Sequence, residues 1–414
     1  MRRWLAQLIE ENAIERLGRR RGAKYRIATP MSFQESSEQE YFRPESLRAL
    51  QQIQRPLCYR RPVSYVTDWL DAYVPNQTFY LPFSLRSELH QVGKRTAPKD
   101  PAGTYARQIL NRLLIDLSYN SSRLEGNTYS LLETERLILQ GVGAEGKLDE
   151  EKIMILNHKE AIRYLVDHAS SVRPTKETIC TLHFLLADSL IERPYSGKVR
   201  DHGVRIGGST YLPFEGSERL ELLLEQIANK ASLIQDPHEQ SFFLLAHISY
   251  LQAFADVNKR TARLSANIPF ITHNLVPLSF NDIEREDYIS ALIAIYELQE
   301  INPLLDLYAF SYQRTATLCD ETAKAVGLDE IRARYRQPRR ALLRHIILNH
   351  LTGAALESFI SSQALAQIPE ADRPAFIEDL RQDLEEINPI RIAGLGVSLG
   401  ELKSWEKTHS RMRK

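Results

Sequence analysis

The chain has little cysteine, no imbalance of charge and no long apolar run in its 414 residues. Its cysteines, Cys58, Cys180 and Cys319, stand far apart with no C-x-x-C or His-paired spacing. That argues against a disulfide framework or a structural zinc site and fits a reducing compartment. Lysine plus arginine and aspartate plus glutamate are equal at 53 each, so net charge supports no global polyanion-binding role, although local clusters still can. No apolar stretch approaches the roughly 20 residues needed to cross a bilayer. The N-terminus, MRRWLAQLIEEN, is interrupted by Glu10 and Glu11 and lacks a signal-peptide core. A cytoplasmic, soluble protein with no membrane partner is expected. No internal repeat is visible. What is present is a composition 43% hydrophobic and 26% charged, enough for a sizeable core, and a length that predicts two or three domains.

One stretch carries chemistry. Gln240–Tyr250 is apolar almost all round, as in a helix at the centre of a domain. Leu251–Arg263 follows (LQAFADVNKRTAR), and then another apolar segment, Leu264–Phe270. The middle run sets Asp256, Asn258, Lys259, Arg260 and Arg263 where a second helix should begin. Unpaired N–H groups at a helix start, with cations added, suit an anion. One acid among several bases suits a polyphosphate with a divalent metal. Charge pattern alone leaves a second reading open: a solvated helix start, with Asp256 as cap and the arginines as surface charges.

The order of residues resembles the signature of the Fic/Doc (Fido) family, H-x-F-x-[D/E]-x-N-[G/K]-R followed by x-x-R. Phe254, Asp256, Asn258, Lys259, Arg260 and Arg263 fall in register, and Gln252 stands where the family has its catalytic His. The resemblance implies ATP and Mg²⁺ as ligands, with the metal on Asp256, α-phosphate oxygens on Asn258 and the loop amides, the β-phosphate on Arg260 and the γ-phosphate on Arg263. Lys259 occupies a position that is most often Gly and is Lys in some relatives, including the Doc toxins. Phe254 would anchor the loop. The resemblance further implies transfer of AMP from ATP to a Ser, Thr or Tyr hydroxyl. The family's His takes the proton of that hydroxyl, and a Gln amide has no group that titrates near neutral pH. The alternative is a catalytically inactive scaffold acting as a regulatory or DNA-associated protein; a third reading is transfer with an unusual base or another nucleotide. His202 is the candidate substitute base, beside the plainer reading of a solvated residue. His247, five residues before Gln252, should point about 140° away from it on a continuous helix.

The rest of the chain is organised around that loop. Residues 1–28 read as an amphipathic helix from Arg3 to about Arg16 and a Gly-bounded basic hairpin, a partial winged-helix-like segment. It touches DNA backbone on one reading and is a solvated charge run on the other. Residues 29–103 should wrap the next domain, with helices near Pro44–Gln54 and Phe83–Val92. From Thr104 a helical period runs into Ser121-Ser122-Arg123-Leu124-Glu125-Gly126. By resemblance, 104–130 matches the family's inhibitory helix, with Ser121, Glu125 and Gly126 in register and Glu125 facing Arg263. The Fido domain would span 131–316. It includes helices at Ile153–Val166, Thr178–Ile191, Asp282–Glu297 and Leu304–Tyr312, with His183 a packed core residue. A β-hairpin flap at 196–214 would pair with an unknown target protein. Residues 327–414 form an Arg-rich helical accessory domain, broken at Pro338, with a small hairpin near its end; a second winged helix is the DNA-binding alternative. The expected fold class is mainly α, a Fido helical core with a short flap.

Overall fold

A computed structural model describes residues 14–17, 24–27, 41–95, 100–325, 335–370, 372–389, 391–392 and 395–412. Most of the expected N-terminal helix lies outside them. Its last turn does not: Ile14–Leu17 is a strand (β1) paired antiparallel with Lys24–Ile27 (β2). Helices dominate everything after it, as the 3.6-residue periodicity predicts.

The first three helices among the described residues, Pro44–Ile53 (α1), Thr67–Asp71 (α2) and Phe83–Gly93 (α3), form the wrap. They share one apolar core with the central helices, through Leu50, Leu70, Tyr73, Leu81 and Leu89. Polar staples fix the wrap. Asp306 accepts the Arg43 amide at 2.9 Å and the Ser46 hydroxyl at 2.5 Å. Glu239, fully buried, accepts the Tyr73 hydroxyl (2.9 Å) and the amides of Tyr80 (2.7 Å) and Leu81 (2.9 Å). Three donors are what a buried carboxylate needs. Burial pushes the Glu239 carboxyl up, with the two amides acting the other way.

The period beginning at Thr104 gives two helices, Thr104–Gln108 (α4) and Leu110–Arg123 (α5), interrupted at Ile109. Leu131–Gln140 (α6), Asp149–Asp167 (α7) and Lys176–Ala187 (α8) follow. The last is shorter than expected because Asp188 turns out of helical geometry. Leu113, Leu114 and Leu117 of α5 pack with Ile155, Ile162 and Val166 of α7 in a second core.

The expected hairpin at 196–214 is corrected. Only Tyr211–Leu212 (β4) is strand there, and it pairs in parallel with Val63–Ser64 (β3) from the wrap. Alternating valines and an isoleucine signal extended chain, but a distant segment supplied the partner. Then come Ser217–Leu233 (α9), Pro237–Leu251 (α10), Asn258–Ser265 (α11), Ile268–Thr272 (α12), Arg285–Leu298 (α13) and Asn302–Ala325 (α14).

Residues 335–412 build their own core around Leu343, Ile346, Ile360, Leu380 and Trp405. Its helices are Arg336–Leu348 (α15), Gly353–Gln367 (α16), Arg373–Glu385 (α17) and Leu399–Met412 (α18). Pro338 does not break a helix; it sits in the first turn of α15, where its missing N–H costs nothing. The expected terminal hairpin is instead α18, opened by a capping box in which the Ser398 amide donates to Glu401 Oε2 at 2.7 Å and the Glu401 amide to Ser398 Oγ at 3.3 Å. Among the described residues of this unit there is no strand. No helix among the described residues is long and apolar enough to cross a membrane.

Candidate functional site

Helix α10 is buried on every side and starts at Asp236, whose Oδ1 accepts the amides of His238 and Glu239, each at 3.0 Å. It stops because Gln252 adopts a left-handed conformation, φ 51°. Five residues later Val257 does the same, φ 64°, and α11 begins. A β-branched residue there is a genuine outlier. The loop between these two left-handed residues is braced by Asn258, whose Nδ2 donates to Phe254 O (2.8 Å) and whose Oδ1 accepts the Phe254 amide (2.9 Å). Phe254 is fully buried and stacks on the His183 ring at 3.9 Å. His183 is thus a core residue, with its Nδ1 accepting the Gly197 amide at 3.0 Å. Burial lowers its pKa to about 4.

A cleft of about 360 Å³ opens over this loop, lined by Gln252, Asp256, Lys259 and Arg260 below and by Val204–Gly207 above. Glu125 and Tyr296 also face it. One end is a cluster of charge. Glu125 Oε1 receives Arg263 Nη2 at 2.6 Å and its Oε2 lies 2.9 Å from Lys259 Nζ. Burial alone would push the Glu125 carboxyl up; Arg263 and Lys259 outweigh it and hold it down at about 2. Arg263 also donates through Nε to Ser121 Oγ (3.0 Å) and through Nη2 to Ser121 O (2.9 Å), with its guanidinium carbon 5.2 Å from the Tyr288 ring. Behind it, His158 Nδ1 faces Met154 O at 2.8 Å. A carbonyl only accepts, so Nδ1 carries the proton and Nε2 accepts the Ser121 hydroxyl at 2.9 Å. Burial lowers the His158 pKa to about 3, which keeps that tautomer neutral.

Arg263 Nη1 and Arg260 Nη1 are buried without a hydrogen-bond partner. Native proteins rarely leave such donors orphaned; that of Arg260 lies at the cleft near the start of α11, and Arg263 lines a smaller pocket with Ser121 and His158. Asp256 is exposed at the rim, its Oδ1 accepting the Val257 amide at 2.6 Å. One carboxylate suffices for a divalent ion whose other ligands are phosphate oxygens and water; no group of three or more candidate ligands occurs among the described residues.

The other end of the cleft is neutral. Gln252 Nε2 donates to Ser249 O (2.7 Å) and to the Tyr296 hydroxyl (3.2 Å). Because Ser249 O can only accept, the amide orientation is fixed and Oε1 is what Gln252 has left to offer. His202 is not at the site: half-exposed, it meets Asp201 at 3.1 Å and the Tyr195 ring. His247 is buried against Tyr80, whose hydroxyl lies 2.7 Å from its Nε2, turned away as the helical spacing predicts. Neither histidine is among the described residues that line the cleft. The helical periods at Asp282–Glu297 and Ile153–Val166 place Tyr296 and His158 on helices, but nothing in the sequence marks either as a site residue.

Helix α5 ends in a Schellman turn: the Asn127 amide bonds Ser122 O at 3.1 Å, the Gly126 amide bonds Arg123 O at 2.9 Å, and Gly126 has φ 95°. The positive φ requires glycine, and the turn leaves Glu125 projecting at the cations.

Residues 173–269 match the model of the Fic/DOC family. The protein adenylyltransferase fic-1 of Caenorhabditis briggsae is 23% identical over 210 residues, 49% of this chain and 40% of that protein. The protein adenylyltransferase Fic of Drosophila erecta is 25% identical over 205 residues, 48% of this chain and 40% of that protein. The chain thus spans about two fifths of the length of these relatives. Among solved structures, Fic-1 from C. elegans covers 59% of this chain and 71% of its own at 20% identity and a TM-score of 0.46. A Fic family protein from Desulfovibrio desulfuricans G20 covers 76% and 92% at 19% identity and a TM-score of 0.48.

Proposed function

This chain carries a Fic/DOC domain, and from that premise we propose that its cleft is a nucleotide site of the AMP-transferring type, held closed at its phosphate end by Glu125 and lacking the general base at Gln252. The observation that carries this reading is the orphaned Nη1 of Arg260, which lines the cleft at the start of α11, with that of Arg263 about one turn further along the helix. Diphosphate or triphosphate oxygens satisfy both by charge-assisted bonds. Asp256 would hold Mg²⁺ shared with those oxygens. Asn258, with its amide bound to Phe254, would brace the loop while the first amides of α11 take α-phosphate oxygens.

In AMP transfer a hydroxyl oxygen attacks the α-phosphorus, the P–O bond to pyrophosphate breaks, and the hydroxyl proton needs an acceptor. Gln252 Oε1 accepts a hydrogen bond from that hydroxyl and orients it but cannot take the proton. A target protein would dock along 196–214. A second reading, a nucleotide-binding regulator that performs no transfer, is favoured by the lack of any histidine among the described residues that line the cleft.

Labelled ATP with wild type, Glu125→Gly and Glu125→Gly/Gln252→His, read as self-modification alongside calorimetric binding, separates them. Labelling of the double variant alone supports an intact site silenced at Gln252. Labelling of Glu125→Gly reveals another base. ATP binding without labelling in any variant supports the regulator. No binding of ATP or of another nucleoside triphosphate by folded Glu125→Gly overturns the nucleotide site itself.

A further inference from the structure

Arg200 is fully buried, and the bonds of its guanidinium run to main-chain carbonyls: Nε to Gln252 O at 2.8 Å, Nη1 to His202 O at 2.6 Å and Nη2 to Phe214 O at 2.5 Å. Its own amide donates to Ala253 O at 3.0 Å. Burying a cation without a bonded carboxylate is costly, and burial pushes the Arg200 pKa down, with Glu215 acting the other way. The compensation for that cost lies in the three carbonyls the guanidinium satisfies.

Those partners are grouped. His202 and Phe214 are the two sides of a neck. The chain between them has the length of an Ω-loop, and its limb Val204–Gly207 roofs the cleft. The sides of the neck touch, since a Cβ on Gly203 would fall 2.2 Å from Glu215 Oε1. Gln252 is the left-handed residue where α10 ends and the phosphate loop starts. A planar fork reaching three carbonyls in fixed directions is a property of guanidinium and not of a single ammonium.

We propose that Arg200 is a positioning residue that bolts the neck of the roof loop to the first residues of the phosphate loop, so that the two faces of the cleft keep their spacing and order together. The proposal rests on the nucleotide reading for its functional consequence. Seated phosphates that stiffen the lower loop are thereby sensed by the roof on which a target would dock.

The test places Arg200→Lys and Arg200→Met in a Glu125→Gly background, with ATP affinity by calorimetry and hydrogen exchange resolved by segment. Expected for Arg200→Lys is at least a tenfold loss of ATP affinity. Exchange should rise jointly in 202–214 and 252–258, with α15 and α16 unchanged. Arg200→Met should show the same pattern, more strongly. Affinity within twofold of the parent, or a rise confined to the residues beside position 200, or a uniform rise over the whole chain, would overturn it. If the parent binds no ATP, the nucleotide reading falls on its own; exchange in the ligand-free protein then decides on Arg200, with a joint rise supporting the bolt and independent behaviour of the two segments refuting it.

Discussion

The two ends of the cleft are built on opposite principles. Around Lys259, Arg260 and Arg263 the protein buries charge, pairs part of it with Glu125 and leaves two guanidinium nitrogens unmatched. Around Gln252 it buries neutral polar groups and matches both amide hydrogens, to Ser249 O and Tyr296. An end with unsatisfied donors responds strongly to an incoming anion; an end with satisfied ones holds its shape. Perturbations at the two ends should therefore differ in kind as well as in size.

The largest effect belongs to the neutral end. Restoring a base with Gln252→His in Glu125→Gly should raise self-labelling by about a hundred- to ten-thousand-fold, the usual worth of a general base; a gain under tenfold in initial rate would mean that the ends are not divided in this way. Next is Arg263→Ala. It strands Glu125 with Lys259 alone and breaks a buried pair, so unfolding should become easier by about 3–5 kcal/mol, read as a lower denaturant midpoint. Arg260→Ala removes an orphan instead of a partner. Its stability should change far less, while nucleotide affinity falls about ten- to a hundredfold, the worth of one charged hydrogen bond.

Acid probes the same end. The Glu125 carboxyl sits at about 2 in the folded protein against 4.5 unfolded. Its contribution, about 3 kcal/mol, is thus complete above pH 4.5 and is lost as pH falls through about 2. Glu125→Gln should flatten the acid limb of a stability profile; an unchanged limb would show that this carboxylate is not the titrating group. Smallest is Lys259→Ala. The Lys259 side chain is one third exposed (33%), so its share of the pair should be under about 1 kcal/mol, a shift of a degree or two in melting.

The charged end was legible in the sequence because its chemistry is carried by side chains at fixed spacing: Glu125, Gly126 and the cations from Lys259 to Arg263 can be read as letters. Arg200 was not, because carbonyl partners leave no trace in residue identity. The roof was misread for a related reason. Val199, Val204 and Ile206 suggest a strand, but none of them has a strand partner; the strand of this segment is Tyr211–Leu212, paired with Val63–Ser64 far upstream. Helices were legible wherever an apolar face repeats, as in α5 and α7. Their ends were not where capping decides: Pro338 opens a helix that it was expected to break, and Ser398 with Glu401 is a capping box present in the letters but passed over for a hairpin.

Helix α5 is embedded in the second core through Leu113, Leu114 and Leu117, so Glu125 cannot leave the cations by withdrawal of the helix. What remains mobile is the side chain and the Schellman turn at Gly126. Motions of side chains and turns run on nanosecond to microsecond timescales, faster than the swing of a domain. A ligand that needs both terminal nitrogens of Arg263 binds only the minor population in which Glu125 is unseated, so its apparent affinity is lowered by that fraction. The occupancy of the site is then set by ligand concentration against that minor population, without any partner having to pull a helix away.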